Sequence, residues 1–376
     1  MKTPLNKKLE NVKWGEYELG ELFEVLTSEK RFDANKVRVL ESGEHPYVVR
    51  LGSNNGHKGF IDEDKSYLNE GNTISFGQDT ATMYYQRKPY FTGDKIKILK
   101  AKTDRFSMKN AQFFISTMTE AFSTFSWGSS SFSVDTIKSQ KLSLPISESG
   151  EIDFDFMESI LADVEADKIT ALESYLSASG LKDCTLTKEE KIALGDLEQA
   201  TWGIFKIEDV LVWQQKIAEL NPLDLDSLSI SAEKKYPFYG QATANNGIIE
   251  YRHLNHDVLN NKLGKSTILI HSNNQNTVYL DTPFYLKDGH GATSVLQSEK
   301  VNELNAHFLI SAIKKVITKK FAYNNKATKI ALKSTEISLP IKADNTPDYD
   351  FMELIISATQ KLVIKDVVQY ADAKSR

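Results

Sequence analysis

Sulfur is scarce in this chain. A single cysteine, Cys184, in 376 residues excludes an intrachain disulfide and a cysteine-built zinc site, and fits a reducing cytosol. The sequence has no run near the ~20 apolar residues that a membrane span requires, and its start, MKTPLNKKLE, carries no secretory signal pattern. These absences predict a cytoplasmic protein with no membrane partner. A basic excess is missing as well: the net charge of −5 argues against a uniformly basic nucleic-acid binder. Catalytic signatures are poor. No G-x-S-x-G elbow occurs, and NPLD (221–224) has Leu223 where an adenine methyltransferase tetrad needs a second proline. LGKST (263–267) resembles the tail of a phosphate-binding loop, but Leu259 stands where the first glycine belongs and a strand follows, so a turn is favoured. His253, His256 and Asp257 have no counterpart elsewhere in the chain and read as surface groups, with no metal site.

The charges that are present are segregated. Residues 148–167 contain Glu148, Glu151, Asp153, Asp155, Glu158, Asp163, Glu165 and Asp167 and no basic residue. Residues 314–333 contain Lys314, Lys315, Lys319, Lys320, Lys326, Lys329 and Lys333 and no acid. Charge runs are usually solvated helix faces, yet an acid-free window of that length gives weight to a phosphate-facing surface.

The chain is also a duplication. LSLPISESGEIDFDFMESI (142–160) returns as ISLPIKADNTPDYDFMELI (337–355), with Pro145 answering to Pro340 and Glu158 to Glu353. Trp14-Gly15 answers to Trp202-Gly203, HPYVVRLGSNNG to YPFYGQATANNG, and Thr73 to Thr267. The offset drifts from 188 (14 to 202) to 195 (145 to 340), as small loop insertions would produce. Each copy reads as short β-rich runs broken by Asn, Gly and Pro turns, then an amphipathic helix, an LPI strand and a helix of about 25 residues, roughly 35–40 Å long. The fold class predicted is α+β, with two tandem β-rich domains, each followed by a long helix. The boundaries expected are 1–150 and 201–345 for the domains, 151–180 and 346–376 for the helices, and 181–200 for a linker. The carboxylates of the two FME segments read as solvent-facing groups at helix starts. The words of the frame are kept between the copies while the loops differ, which points to two sites of one kind reading two different things.

The loops are rich in amides. Asn and Gln suit bidentate contacts to adenine, Arg and Lys to guanine, and Ser or Thr to either. The candidates in the first copy are Asn54, Asn55, His57, Lys58, Gln78, Thr80, Arg87, Ser129 and Ser130. In the second they are Asn245, Asn246, Arg252, Ser272, Asn273, Asn274, Gln275, Asn324, Asn325 and Lys326. Any one of them is explained as well by a turn, and the Asn-Gly pairs better so. Their repetition in equivalent loops beside a basic window carries the base-contact reading.

Two β-rich domains in tandem, each leading through an LSLPI-type strand into a long helix, resemble the specificity subunit of type I, or related type IIB, restriction–modification systems. VKWGEYELGELFEV and ATWGIFKIEDVLVW are similar to the family's usual domain opening, and GQDTATMYYQRKPYFTGDKIKIL to a common variant of it. The chain departs from the commoner pattern in having HPYVV or YPFYG for an I-P-W-I-like strand, and DFDFME for P-P-L-x-E-Q. The resemblance implies that each target-recognition domain reads one half of a split, asymmetric site in double-stranded DNA. It implies that the two helices pack as an antiparallel spacer on which two DNA methyltransferase subunits dock, with a restriction subunit as an optional further partner. It implies no catalytic residue and no cofactor in this chain, S-adenosylmethionine belonging to the methyltransferase. Two other classes remain open on the residues alone: a duplicated nuclease or methyltransferase fragment, and a tandem binding adaptor.

Overall fold

Trp14-Gly15 and Trp202-Gly203 lie at equivalent places in two strands, and in both the glycine meets a crowded ladder. A Cβ on Gly15 would lie 2.9 Å from the Ile146 side chain, and one on Gly203 2.7 Å from Ile341. Neither position has room for a side chain. The computed structural model describes residues 4–123, 132–231, 234–322 and 324–374. It divides into two compact units, Met1–Leu172 and Glu173–Arg376, the division falling inside a long helix.

In the first unit, helix α1 (Pro4–Asn11) precedes β1 (Lys13–Glu18), the single turn α2 (Leu19–Leu22) and β2 (Phe23–Thr27). Strands β3 (Pro46–Val48), β4 (His57–Phe60), β5 (Thr73–Gly77), β6 (Met83–Gln86), β7 (Phe91–Thr92) and β8 (Ile96–Ala101) follow. Helices α3 (Ala111–Phe122) and α4 (Val134–Lys138), strand β9 (Lys141–Ile146) and helix α5 (Phe154–Ala178) complete the copy. The second copy begins with α6 (Lys188–Asp196), β10 (Trp202–Lys206), α7 (Ile207–Val210), β11 (Val212–Trp213) and β12 (Glu219–Leu220). Strands β13 (Tyr236–Tyr239), β14 (Ile248–Arg252), β15 (Thr267–His271), β16 (Thr277–Leu280), β17 (Tyr285–Lys287) and β18 (Thr293–Gln297) come next. It ends with α8 (Glu303–Lys320), α9 (Lys329–Lys333), β19 (Glu336–Pro340) and α10 (Tyr349–Lys374). The segment 181–200, expected as a linker, carries α6, whose Glu190 is 3 % exposed and accepts from Lys361 Nζ (2.9 Å) and Ser357 Oγ of α10.

The duplication holds strand by strand. The order β2-β8-β5-β6 in one unit is β11-β18-β15-β16 in the other, and β4-β3-β7 becomes β14-β13-β17 with β12 added at the edge. Pairs β3–β7 and β13–β17 are both parallel, and both hairpins carry a bulge at the same place, between Tyr47 and Val48 and between Phe238 and Tyr239. Trp14 faces Pro145 across β1–β9, and Trp202 faces Pro340 across β10–β19.

The main cores use equivalent positions with different side chains. Phe23, Phe76, Phe106 and Phe114 fill the first unit, where Phe23 meets Phe106 and Phe114 edge-on at 5.4 and 5.5 Å. The second places Leu211, Ile270, Val301 and Leu309 there. Leu144 and Met157 answer to Leu339 and Met352, all four fully buried. Aromatic stacking and aliphatic packing thus fill the same frame, as expected where total volume and patterning are kept.

Each long helix is fastened to its own domain twice. Asp153 Oδ1 accepts from Phe156 N (2.8 Å), and Asp348 Oδ1 from Phe351 N (3.1 Å), capping the first turns of α5 and α10. Glu158 does not face solvent as a mere dipole group. Buried Asn110, at the start of α3, donates through Nδ2 to Glu158 Oε1 (3.0 Å) and to Arg105 O (2.8 Å), and its Oδ1 accepts from Ser107 N (3.0 Å). Asn305 repeats this with Glu353 (3.0 Å), Lys300 O (3.0 Å) and Asn302 N (2.9 Å). The sequence reading missed this because the partners are far apart in the chain.

Asn110→Ala is expected to cost about 2–3 kcal/mol, since it strands a half-buried carboxylate and two backbone groups. Asn110→Asp is expected to cost more at neutral pH, by setting a second carboxylate beside Glu158. That excess should shrink below about pH 5, where a protonated carboxyl can donate. Urea unfolding of the full chain against wild type at pH 8 and pH 5 measures both effects; an Asn110→Asp deficit independent of pH would contradict the contact.

Candidate nucleic-acid interface

The loops that hold the candidate residues are built on one frame in both units. In the first, the β3–β4 hairpin closes through Val49 N donating to Gly56 O (2.8 Å), with Asn54, Asn55 and Gly56 at φ of 49°, 51° and 74°. The second closes through Gly240 N and Gly247 O (2.8 Å), with Asn245, Asn246 and Gly247 at 49°, 51° and 82°. Consecutive left-handed residues are tolerated by Asn and Gly and by few others. This backbone requirement explains why the word NNG survives in both copies. Asn54 Nδ2 donates to His57 O (3.0 Å) and Asn245 Nδ2 to Ile248 O (3.3 Å), so one asparagine of each pair is engaged in its own turn.

The β5–β6 and β15–β16 tips match as closely. Gly77 N donates to Thr82 O and His271 N to Asn276 O, both at 2.9 Å, with Ala81 and Gln275 left-handed. Gln78 and Ser272 are the hubs of the two loop clusters. Gln78 N donates to Lys95 O (2.9 Å), and its carbonyl accepts from Phe132 N (3.0 Å). Ser272 N donates to Ala292 O (2.8 Å), and its carbonyl accepts from Ala327 N (3.1 Å). Gln78 Nε2 adds a bond to Phe132 O (2.7 Å), and buried Gln275 donates to Ser272 O (3.2 Å). The Gln78 side chain therefore holds two loops together, and that of Gln275 braces its own tip.

The clusters differ in how neighbouring loops are clamped. In the first unit Arg50 pairs with Asp79, which also takes Lys95 Nζ (2.9 Å), and Arg31 pairs with Asp94 (3.1 Å). Arg31, Asn35, Arg50 and Thr80 border a concavity of ≈ 670 Å³ there. In the second, Gln241 and Asn273 occupy the equivalent positions and bond amide to amide, Asn274 donates to Gln241 O, and Asn276 to Ala242 O (2.9 Å). A charged clamp has become an amide clamp. Arg31, Arg50 and Lys95 were missed in the sequence because only the fold brings 31, 50, 79 and 94 together.

The remaining candidates divide by exposure. His57 Nε2 donates to Gln86 Oε1 (2.8 Å), pinning the turn to buried Gln86, whose Nε2 donates to Asn55 O (3.1 Å). Thr80 is half-buried, its Oγ1 2.9 Å from Thr82 Oγ1. Arg252 is held by Glu250 (2.8 Å) and Asp226 (3.7 Å), at the strand position facing Tyr236, away from the 245–247 turn. Asn325 donates to Lys320 O (3.0 Å), closing its own turn. Asn55, Lys58, Arg87, Asn246, Asn274, Asn324 and Lys326 are exposed. Ser129 and Ser130 lie outside the described residues. The segment 261–265 is a turn locked by Asn261, which accepts from Lys265 N (3.0 Å) and donates to Lys265 O (2.9 Å), with Gly264 at φ 63°. Among the described residues, no group of three His, Cys, Asp or Glu is placed to hold a metal ion, and no helix is long and apolar enough to cross a membrane.

The family described as type I restriction modification DNA specificity domain matches twice, over residues 11–174 and 199–368. The chain belongs to that family. The two matches coincide with the two copies of the frame, so the molecule carries two tandem DNA target-recognition domains of a restriction–modification specificity subunit. A curated relative, the type II restriction enzyme BgcI specificity subunit S.BcgI of Heyndrickxia coagulans, is 28% identical over 365 residues, covering 94% of this chain and 96% of its own. The crystal structure of the type I restriction–modification S subunit from M. genitalium has the same fold, with a TM-score of 0.61 at 13% identity, covering 97% of this chain and 92% of that one.

One residue of the second recognition domain gives it a pH dependence. Burial pushes the His271 imidazole down to about 4, with Nδ1 2.9 Å from Thr293 Oγ1. The fold holds this base neutral, while the unfolded chain protonates it below the ordinary value of 6.5. Stability is therefore full above that value and lost as pH falls towards 4, by up to about 3 kcal/mol. Thermal melts of the full chain between pH 7.5 and 4 are expected to have a steeper pH slope than those of His271→Gln.

Proposed function

We propose that the two domains read the two halves of a bipartite, asymmetric target in double-stranded DNA. The observation that carries this is the hub arrangement at Gln78 and Ser272: equivalent backbone bonds hold loops whose tips have diverged. A shared frame places tips in equivalent positions, and different tips select different bases. Of the candidates, the exposed Asn55, Lys58, Arg87, Asn246, Asn324 and Lys326 are the readers and phosphate contacts, while Asn54, His57, Gln78, Asn245, Ser272, Asn274, Gln275 and Asn325 hold the loops. The lysines at the loop cluster, Lys326 and Lys329, supply phosphate attraction in a chain of negative net charge.

In this reading α5 and α10 form the antiparallel spacer. At 25 and 26 residues each is about 38 Å long, comparable to the ~34–36 Å that separates half-sites one helical turn apart. Two methyltransferase subunits dock on it and hold the S-adenosylmethionine, with a restriction subunit as an optional addition, and the complex works in the cytoplasm. This chain is its non-catalytic part. The FME carboxylates support that assignment, since Glu158 and Glu353 are occupied by Asn110 and Asn305.

Replacing residues 245–335 by the matching segment of a relative is expected to change one half of the recognised sequence and leave the other intact, measured by selection of bound duplexes from a random pool; changes in both halves would sink the reading. Asn246→Gly keeps the left-handed turn and removes the amide. It is expected to cost about 1–3 kcal/mol on the specific target and nothing on random duplex. Lys326→Ala should weaken both duplexes alike and lower the salt slope by about 1.

A further inference from the structure

Both copies keep a tryptophan that is nearly half exposed to water. Trp14 stacks on Phe113 at 6.3 Å and Trp202 on Phe308 at 6.2 Å, with interplanar angles of 20° and 23°, and the two tryptophans are 42 % and 44 % exposed. In the second unit this pair opens onto a groove of ≈ 770 Å³ whose apolar wall is Trp202, Phe308, Ala312, Val316, Ile355 and Ile356. Phe308, Ala312 and Val316 are spaced by four along α8 and form one ridge, with Ile355 and Ile356 of α10 facing it. Lys315, Lys319 and Lys320 stand along the groove. Lys320 Nζ donates to Thr335 Oγ1 (3.1 Å), whereas Lys315 and Lys319, one turn apart, have no ion pair among the described residues.

The groove is chemically distinct from the recognition loops. Phosphate contacts need polar donors and gain nothing from a Trp, Phe, Val and Ile wall. An apolar trough with unpaired ammonium groups beside it is complementary to a helix with one apolar face and carboxylates flanking it. The first unit does not repeat the basic edge, because Glu120 stands at the position of Lys315 and Thr117 at that of Ala312. The lysine window thus serves two surfaces, Lys326 and Lys329 lying beyond α8 at the loops.

We propose that this groove seats an acidic amphipathic helix of a partner protein. Its apolar side chains, spaced by three and four, lie on the Trp202–Phe308–Val316 wall, and its carboxylates pair with Lys315 and Lys319. The proposal rests on the reading of this chain as the DNA-reading part of a larger complex, and it names a docking surface of the second domain alone.

The test uses the full chain and two fluorescein-labelled 18-residue peptides with the same leucine face, one flanked by glutamates and the other by lysines. The glutamate peptide is expected to bind at least tenfold tighter by anisotropy. K315E/K319E is expected to reverse the preference, and Trp202→Ala to weaken both peptides at least fivefold. Duplex DNA affinity, measured in parallel, should stay within twofold in K315E/K319E. Equal binding of the two peptides, or no binding of either, overturns the proposal. So does a K315E/K319E loss of DNA affinity with peptide binding unchanged, which would assign these lysines to phosphate. Sedimentation that finds a dimer abolished by Val316→Glu would give the groove to a second copy and also overturn it. Failure of the native chain to bind duplex DNA would count against the recognition reading, whatever the peptides do.

Discussion

The hydrogen bond from a buried asparagine to the glutamate of the FME segment governs how each recognition domain is joined to its long helix. Asn110 reaches Glu158 and Asn305 reaches Glu353, both at 3.0 Å, while the same amides tie down the loop before α3 or α8. One helix turn away the aspartate cap fixes the helix start, and Met157 or Met352 enters the core between the two contacts. A helix held by its cap, a buried apolar residue and a polar pair cannot swivel about its first turn. If the helices space two half-sites, as proposed, they need this rigidity, since a spacer loosely attached at its base would leave the half-site separation undefined. The polar pair also carries directional information that a purely apolar contact lacks, because an amide must meet its acceptor in one geometry.

From that joint upward, the structure separates what must stay from what can change. Positions with a backbone requirement have kept their residues: NNG at three left-handed positions, glycine where Ile146 or Ile341 crowds the ladder, and Asp at the cap. Positions whose requirement is only that neighbouring loops be clamped have changed chemistry. Arg50–Asp79 clamps by charge and Gln241–Asn273 by amide pairing. The core behaves likewise, Phe114 answering to Leu309 and Phe76 to Ile270. Divergence between the copies is concentrated where physics leaves alternatives.

This separation also explains what could be read from the sequence. The duplication, the tandem domains, the strands and the long helices follow from local patterns of two or four residues and from repeated words. The hub roles of Gln78 and Ser272, the clamp at Arg50 and the partner of Glu158 depend on residues tens of positions apart, and no local pattern encodes them. In the amide-rich loops, turn formers and base readers therefore looked alike. The fold sorts them, because the amides of Asn54, Asn274 and Asn325 already have one of their two N–H donors on a nearby backbone carbonyl and are fixed in direction by it. The helix at 188–196 does carry a local signal, the capping box of Thr187 and Glu190, whereas the docking of Glu190 on Ser357 and Lys361 depends on residues far along the chain.

Charge segregation resolves the conflict between a net charge of −5 and a DNA target. At an ionic strength near 0.1 M exposed charges act over about 10 Å. Asp163 and Glu173 lie 9 and 19 residues into α5, about 14 and 28 Å from its start, since Phe154 is its first residue. Those two acids are thus one to three screening lengths from the helix start, whereas Glu148, Glu151, Asp153, Asp155 and Glu158 lie at or near it. A uniformly neutralised surface would have neither the local attraction for phosphate nor the acidic helix. Most lysines of 314–333 lie on α8 and α9 and the acids of 155–173 on α5, so the two signs occupy different elements, and on the proposed reading the lysines can meet phosphate in a chain of modest negative charge.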